Sequence, residues 1–359
     1  MRRARRVTTE KEPSALESDT SSSYKGAPPL LDVADLTTSL MVAGRLQLVV
    51  RNMSLTVKSG EVVGLVGESG SGKSITARSI IGLLPTGAQV TGRIMVGELD
   101  RLALSRRDVR RLRSERVAMI FQDPGAHIDP LWRIEDYVGE GMRVHLGLSK
   151  DEARQRSAAL LKSLGIVDVD RVLRAYPGQL SGGMLQRVMI AGALSCEPQL
   201  IIADEATTAL DVTVQSDILA ILQGLRQSRQ LSLLFITHDL GLASVICDRI
   251  VVMYAGRAML SQDSRGLFDA PAHPYGAALV AARPRVDRKG GRLRTVEGRP
   301  LSALEAPSGC PFHPRCAYAI DACAQIVPEL IEIRPGVSTA CIRAGEIETE
   351  LARSVQIDD

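Results

Sequence analysis

The chain has 359 residues, 45% of them hydrophobic and only 3% aromatic, with a formal net charge of +3. That length suits one large domain with an appendage, or two modest domains, around a core of Leu, Ile, Val, Ala and Met. Near-balanced charge gives no basic stripe for nucleic acid, and no apolar run approaches the roughly 20 residues of a membrane-spanning helix. Met1 to Arg6 is basic and Ser18 to Ser23 is polar, so residues 1–29 read as a disordered tail rather than a secretory signal. The protein is therefore expected in the cytoplasm, where its cysteines read as thiols or metal ligands rather than disulfides.

Glu61 to Val66 is a short β-branched run that leads into Gly67-Glu68-Ser69-Gly70-Ser71-Gly72-Lys73-Ser74. Ile75, Ile80, Ile81, Leu83 and Leu84 follow at helical spacing, ending near Pro85. Strand, glycine-rich loop and helix in this order predict a phosphate-binding loop. Its glycines let backbone N–H groups face phosphate oxygens, and the helix start adds positive potential at the same place. Lys73 is expected at the β- and γ-phosphates and the Ser74 hydroxyl on Mg2+.

Four later motifs fit the same chemistry. A strand over Val117 to Phe121 delivers Gln122, expected near the metal or the attacking water. Helical patterns follow, for example Lys150 to Leu164. Leu180-Ser181-Gly182-Gly183 then opens a helix-like stretch, with Ser181 as its cap and the glycines baring backbone N–H groups. The buried-strand run Leu200 to Ala203 ends in Asp204-Glu205, two carboxylates expected to face the loop. Asp204 fits the holding of Mg2+ and Glu205 the polarising of a water. Leu233 to Ile236 delivers His238 toward the γ-phosphate. One phosphate loop and one glycine signature, with no internal repeat, require the second half-site to come from another chain.

Cys310, Cys316, Cys323 and Cys341 occupy only 32 residues, spaced C-x5-C-x6-C-x17-C. The paired C-x2-C knuckles of structural zinc are missing, and iron–sulfur clusters tolerate looser spacing. Iron–sulfur, zinc and incidental free thiols all remain open from the spacing. Cys196 and Cys247, inside apolar helical patterns, read as buried thiols.

Taken in order, these motifs resemble the ATP-binding subunits of ABC transporters. More narrowly, Val66 to Ser74, Phe121-Gln122-Asp123-Pro124 and Thr207 to Thr213 are similar to the ATPases of oligopeptide/dipeptide importers, as are His273-Pro274-Tyr275 and Gly309 to Cys316. The match covers roughly residues 30–345. The resemblance implies an α/β, P-loop ABC-type nucleotide-binding domain over residues 30–269, with a helical subdomain at about 123–195. It also implies a small loop-rich C-terminal extension over 270–345, followed by a tail at 346–359.

The implied activity is ATP hydrolysis that powers import of peptides, or a related small solute, through a membrane permease. Gln122, Glu205 and His238 would be catalytic, and Ser74, Gln122 and Asp204 would serve Mg2+. Ser181, Gly182, Gly183 and Asp211 would work across a dimer seam. The family also points to a 4Fe-4S cluster on the four clustered cysteines, with Zn2+ as the alternative.

Implied partners are two transmembrane permease subunits, a second and related ATPase chain, and indirectly an extracytoplasmic solute-binding protein. The permease contact would fall over Leu131 to Leu148, and the subunit would sit peripherally on the cytoplasmic face of the inner membrane. A soluble ABC ATPase acting on nucleic acid or ribosomes is the competing reading. The single nucleotide domain, the lack of a long coiled-coil insert and the near-neutral charge argue against it. The sequence departs from the family at Gly178, Leu185 and Ala206, and no aromatic stands between Thr37 and Val50 to stack on adenine. Leu40 or Met41 is left for that contact.

Overall fold

A computed structural model describes residues 28–206, 212–283 and 295–356. Most of the expected N-terminal tail, and Asp211, lie outside the described residues. Strands β1 (Leu31–Val42) and β2 (Arg45–Val57) form an antiparallel hairpin. Leu31 and Val33 on one strand, and Met53, Leu55 and Val57 on the other, are buried at the two-residue period of a sheet with one covered face. Strand β3 (Val62–Val66) is buried at every position and runs straight into the glycine-rich loop. Strands β4 (Gln89–Val96) and β5 (Leu99–Asp100) complete a four-stranded sheet in the order β2-β1-β4-β5.

The second sheet is larger. Strands β6 (Val117–Ile120), β7 (Leu200–Asp204) and β8 (Ser232–Thr237) are followed by β9 (Arg249–Tyr254) and β10 (Arg257–Asp263). Strands β11 (Ile331–Arg334) and β12 (Val337–Thr339) come last. With β3 they make eight strands in the order β11-β12-β10-β9-β3-β8-β7-β6. The pairs β6/β7, β7/β8, β3/β8 and β3/β9 are parallel. Strands β7 and β8, like β3, are buried throughout, as strands covered on both faces must be. The register sets Val66 beside Thr237, Asp204 beside Ile236, and Ile120 beside Ala203. Four loops therefore leave the C-terminal ends of β3, β8, β7 and β6 side by side.

Helices cover both faces. The helix Lys73–Ile81 places Ile80 and Ile81 between the two sheets, against Leu65, Ile202 and Leu234. The helices Ile134–His145, Lys150–Ser163 and Gly182–Leu194 share a core with β6, β7 and β8 on the other face. Ser149 and Glu152 form a capping box at the start of the second of these. Cys247 is buried just past the helix Leu240–Ile246, as expected for a core thiol. Cys196 departs from that expectation, since it follows the helix Gly182–Leu194 and is only half-buried. None of the six cysteines is in a disulfide.

The C-terminal part continues the main sheet. Strand β12 pairs with β10, Leu260 facing Thr339 and Ser261 facing Ser338. His273 caps the helix Pro274–Ala281, accepting from the Tyr275 N–H at 2.9 Å. Tyr275 and Phe312 meet Tyr254 of β9 in edge contacts at 4.9 and 5.4 Å. A chain poor in aromatics thus gathers three of them at the junction.

Gly309 and Gly336 have nearly the same left-handed backbone, φ 70° and 76°. A Cβ on Gly309 would sit 2.3 Å from the Cys323 carbonyl oxygen, whereas nothing lies within 4 Å of one on Gly336. Gly309→Ala should therefore lose about 2 kcal/mol or more of stability and Gly336→Ala about 1 kcal/mol. Equal losses in denaturant unfolding would show that the packing at Gly309 is not as tight as drawn.

Candidate functional site

The glycine-rich loop is pressed against β9 and β2. A Cβ on Gly67 would lie 2.1 Å from the Met253 carbonyl oxygen. Gly72 has φ 103°, and its Cβ would meet the Val49 carbonyl at 3.1 Å. Only glycine fits at either position. Gly70 lies beside Ser302, Ser69 faces the cavity described below, and Ser71 is buried beneath the loop with its carbonyl accepting from the Gly256 N–H at 2.8 Å.

Lys73 opens the helix after the loop, and its ammonium donates to the carbonyls of Gly67 and Glu68 at 2.8 and 3.0 Å. Burial lowers its pKa, opposed by the charges of Glu205, Asp204 and Glu68. The Ser74 hydroxyl donates to Asp204 Oδ1 at 2.8 Å, so two hard oxygen donors converge beside the loop. Burial raises the Asp204 carboxyl, and the Ser74 bond opposes that rise.

Glu205 stands just past β7 with φ 47°, a left-handed backbone costly for a residue with a side chain. Its N–H donates to the Ile236 carbonyl at 3.0 Å, which locks the turn to β8. Gln122 Nε2 donates to Glu205 Oε2 at 3.0 Å, and His238 Nδ1 lies 3.6 Å from Glu205 Oε1. The strand-end residues Gln122, Asp204, Glu205 and His238 thus form one rim around Lys73 and Ser74. An open cavity of about 670 Å3 lies above it, lined among others by Gly67, Glu68, Glu205, His238, Arg283 and Pro300. That volume suits a nucleotide-sized ligand.

The glycine signature is not at this cavity. Ser181 caps the helix Gly182–Leu194, accepting from the Met184 N–H at 3.4 Å, and a Cβ on Gly183 would meet Val214 at 3.0 Å. Within one chain, Ser181, Gly182 and Gly183 do not line the cavity that Glu205 and His238 border.

Two sets of contacts that shape the site were not anticipated. Gln186, buried in the signature helix, donates to the Ala206 carbonyl at 2.8 Å and fixes the turn after Glu205. Its signal was a lone amide among Leu185, Val188 and Met189. Glu68, expected as a loop residue facing phosphate, pairs its carboxylate with Arg315 at 2.6 and 3.1 Å and with the Tyr275 hydroxyl at 3.2 Å. Here the signal was an acid inside a loop built for anions.

Cys310, Cys316, Cys323 and Cys341 line one small enclosed cavity of about 20 Å3, together with His273 and His313. Burial pushes the Cys310 thiol up to about 11 and also raises Cys316 and Cys341, with smaller contributions from Cys323 to all three. In type the four thiols suit a soft metal or an iron–sulfur unit. Among the described residues, however, no three His, Cys, Asp or Glu side chains are arranged to hold a metal ion. No described helix is long and apolar enough to cross a membrane.

Comparison with known proteins agrees with this architecture. Residues 50–208 match the ABC transporter family, and residues 261–323 match the C-terminal region of oligopeptide/dipeptide transporters. The chain is 41% identical to the oligopeptide transport ATP-binding protein OppD of Salmonella typhimurium over 317 residues, 88% of this chain and 94% of that one. It is 42% identical to a probable peptide ABC transporter ATP-binding protein, y4tR, of Sinorhizobium fredii, over 89% of this chain and 96% of the relative. Among solved structures it resembles the dimeric ATP-binding cassette MJ0796 bound to ADP and Pi, with a TM-score of 0.59 at 28% identity. That likeness covers 66% of this chain and 99% of the other. CbiO1 of Clostridium perfringens gives a TM-score of 0.57, also at 28% identity, over 67% of this chain and 90% of that one. The fold is the P-loop ABC ATPase fold with mixed α/β sheets.

Replacing Gln186 by Met keeps the side-chain volume but removes the donor to the Ala206 carbonyl. A loss of about 1–3 kcal/mol in unfolding free energy is expected. A stability equal to the parent's would mean that this bond does not hold the turn.

Proposed function

From the premise that this chain belongs to the ATP-binding subunits of ABC transporters, of the oligopeptide/dipeptide type, we propose that it hydrolyses ATP to drive peptide import through a membrane permease. The observation that carries this reading is the rim of Gln122, Asp204, Glu205 and His238 around Lys73 and Ser74. Lys73 and the backbone N–H groups of residues 69–74 receive the phosphates. Ser74, Asp204 and Gln122 are the residues that would hold Mg2+, which when bound neutralises phosphate charge. Glu205 polarises the attacking water, Gln122 orients that carboxylate, and His238 reaches the γ-phosphate. Leu40 or Met41, the latter half-exposed on the β1–β2 hairpin, offers adenine an apolar contact in place of an aromatic ring.

Ser181, Gly182 and Gly183 lie away from their own chain's cavity, which supports a second ATPase chain that presents its signature across a seam. Asp211 is proposed to cross the same seam. A related rather than identical partner is our reading of the pair, with two permease subunits and, indirectly, a solute-binding protein outside. The permease contact falls over residues 131–148, where Leu131 is 82% and Val144 67% exposed. The subunit therefore acts peripherally, on the cytoplasmic face of the membrane.

We also propose that Cys310, Cys316, Cys323 and Cys341 hold a 4Fe-4S cluster, with zinc as the alternative. The shared cavity supports this reading. The extension over residues 270–345 would be pinned by that unit.

Two measurements test these assignments. In the complex assembled with its permease, Glu205→Gln should retain ATP binding and lose turnover by about a hundredfold or more. Unchanged turnover would remove Glu205 from its role. Anaerobically purified protein should contain four irons with matching sulfide, lost in Cys316→Ser; stoichiometric zinc would select the alternative, and absence of both would refute a metal site.

A further inference from the structure

An acidic residue is a poor choice inside a loop that must receive phosphate. A carboxylate within several ångströms of a phosphate opposes binding unless its charge is cancelled locally. Glu68 occupies that position, next to Gly67 and five residues before Lys73.

Its charge is cancelled by the C-terminal part of the chain. The Arg315 guanidinium takes both carboxylate oxygens of Glu68, Nη1 donating to Oε2 at 2.6 Å and Nη2 to Oε1 at 3.1 Å. The Tyr275 hydroxyl donates to Oε2 at 3.2 Å and lies 3.2 Å from the Glu68 N–H. A two-pronged arginine–carboxylate pair fixes direction as well as charge. Arg315 is held tightly in turn. Its side chain is only 4% exposed, and it donates to the carbonyls of Glu297 and Val296 at 2.7 and 3.2 Å. Its guanidinium also lies over the rings of Tyr254 and Phe312, at 5.6 and 5.9 Å. Among the described residues, Glu68 is the only carboxylate that Arg315 bridges. Tyr254 ends β9, the strand that pairs with β3 directly beneath the loop.

We propose that Arg315 is a positioning residue for ATP: it neutralises Glu68 and fixes the loop's outer edge, so the C-terminal extension completes the nucleotide site of its own chain. This rests on the reading of the glycine-rich loop as the ATP site. The pair explains how a carboxylate is tolerated there, because Arg315 balances its charge with both prongs of the guanidinium. It also assigns the extension a part in nucleotide affinity beyond its own folding.

The test is titration of the purified full-length chain with a fluorescent ATP analogue and Mg2+, with thermal unfolding followed in parallel. Arg315→Met should weaken affinity about tenfold by exposing the Glu68 charge. Glu68→Gln in that background should restore most of the loss, and Glu68→Gln alone should leave affinity unchanged or tighter. Arg315→Lys, which keeps the charge and loses the fork, should fall between parent and Arg315→Met. Arg334→Met removes an ion pair between the extension and Glu348 of the C-terminal tail and should leave affinity unchanged.

An unchanged affinity in Arg315→Met would overturn the proposal, as would a double variant no tighter than Arg315→Met. If Arg315→Met does not fold, a weakened Glu68→Gln single variant overturns it equally. A parent chain that binds no analogue at all would instead refute the ATP-site reading on which the proposal stands.

Discussion

The parallel register of β3, β6, β7 and β8 is the constraint on which the site depends. Backbone hydrogen bonds set Val66 beside Thr237, Asp204 beside Ile236 and Ile120 beside Ala203. Each strand therefore stops at the same height, and the next residue or two emerge as Gly67, Gln122, Glu205 and His238. A slip of one residue would exchange the side chains packed into the two cores, which are filled to close packing on both faces. The apolar cores on both faces thus fix the positions of the polar rim. The bonds between Gln122 and Glu205, and between Ser74 and Asp204, refine a placement that packing has already made.

Charge balance is the second constraint. Lys73 is 5% exposed and Asp204 4%, with Glu205 and Glu68 close enough to bear on the lysine. Burial works against both charged forms, lowering the Lys73 pKa and raising that of Asp204. Each ion is stabilised by the other and by local hydrogen bonds, so the site is a set of mutually dependent charges rather than a list of separate groups. Glu68 would add surplus negative charge to that set if Arg315 were not paired with it.

Much of this was legible in the sequence, for identifiable reasons. Strands buried on both faces read as continuous apolar runs, which is why β3, β7 and β8 and the polar residues at their ends could be located from residue order alone. The phosphate loop was legible because Gly67 and Gly72 are forced by contacts with the Met253 and Val49 carbonyls, and no other residue type would serve there. Strands β11 and β12 were not legible: they are four and three residues long, and Ile331 and Ile333 face outward. The half-buried state of Cys196 was missed because an apolar pattern does not mark the residue at which a helix ends. Arg315 and Tyr275 were invisible as site residues because they lie 247 and 207 positions from Glu68, and only the folded sheet brings them together.

Strand β12 attaches to β10, β10 to β9, and β9 to β3, so the C-terminal extension is continuous through backbone pairing with the strand that carries the phosphate loop. Tyr254, Tyr275 and Phe312 fill the corner between them, and Arg315 passes over two of those rings to reach Glu68. A rigid aromatic corner loses little on ordering and holds the guanidinium in one direction. The same short segment that carries Arg315 also carries Cys310 and Cys316, so the arrangement of the thiols and that of the arginine cannot vary independently. The extension is therefore mechanically coupled to the phosphate loop: Arg315, the backbone neighbour of Cys316, reaches Glu68 through its ion pair.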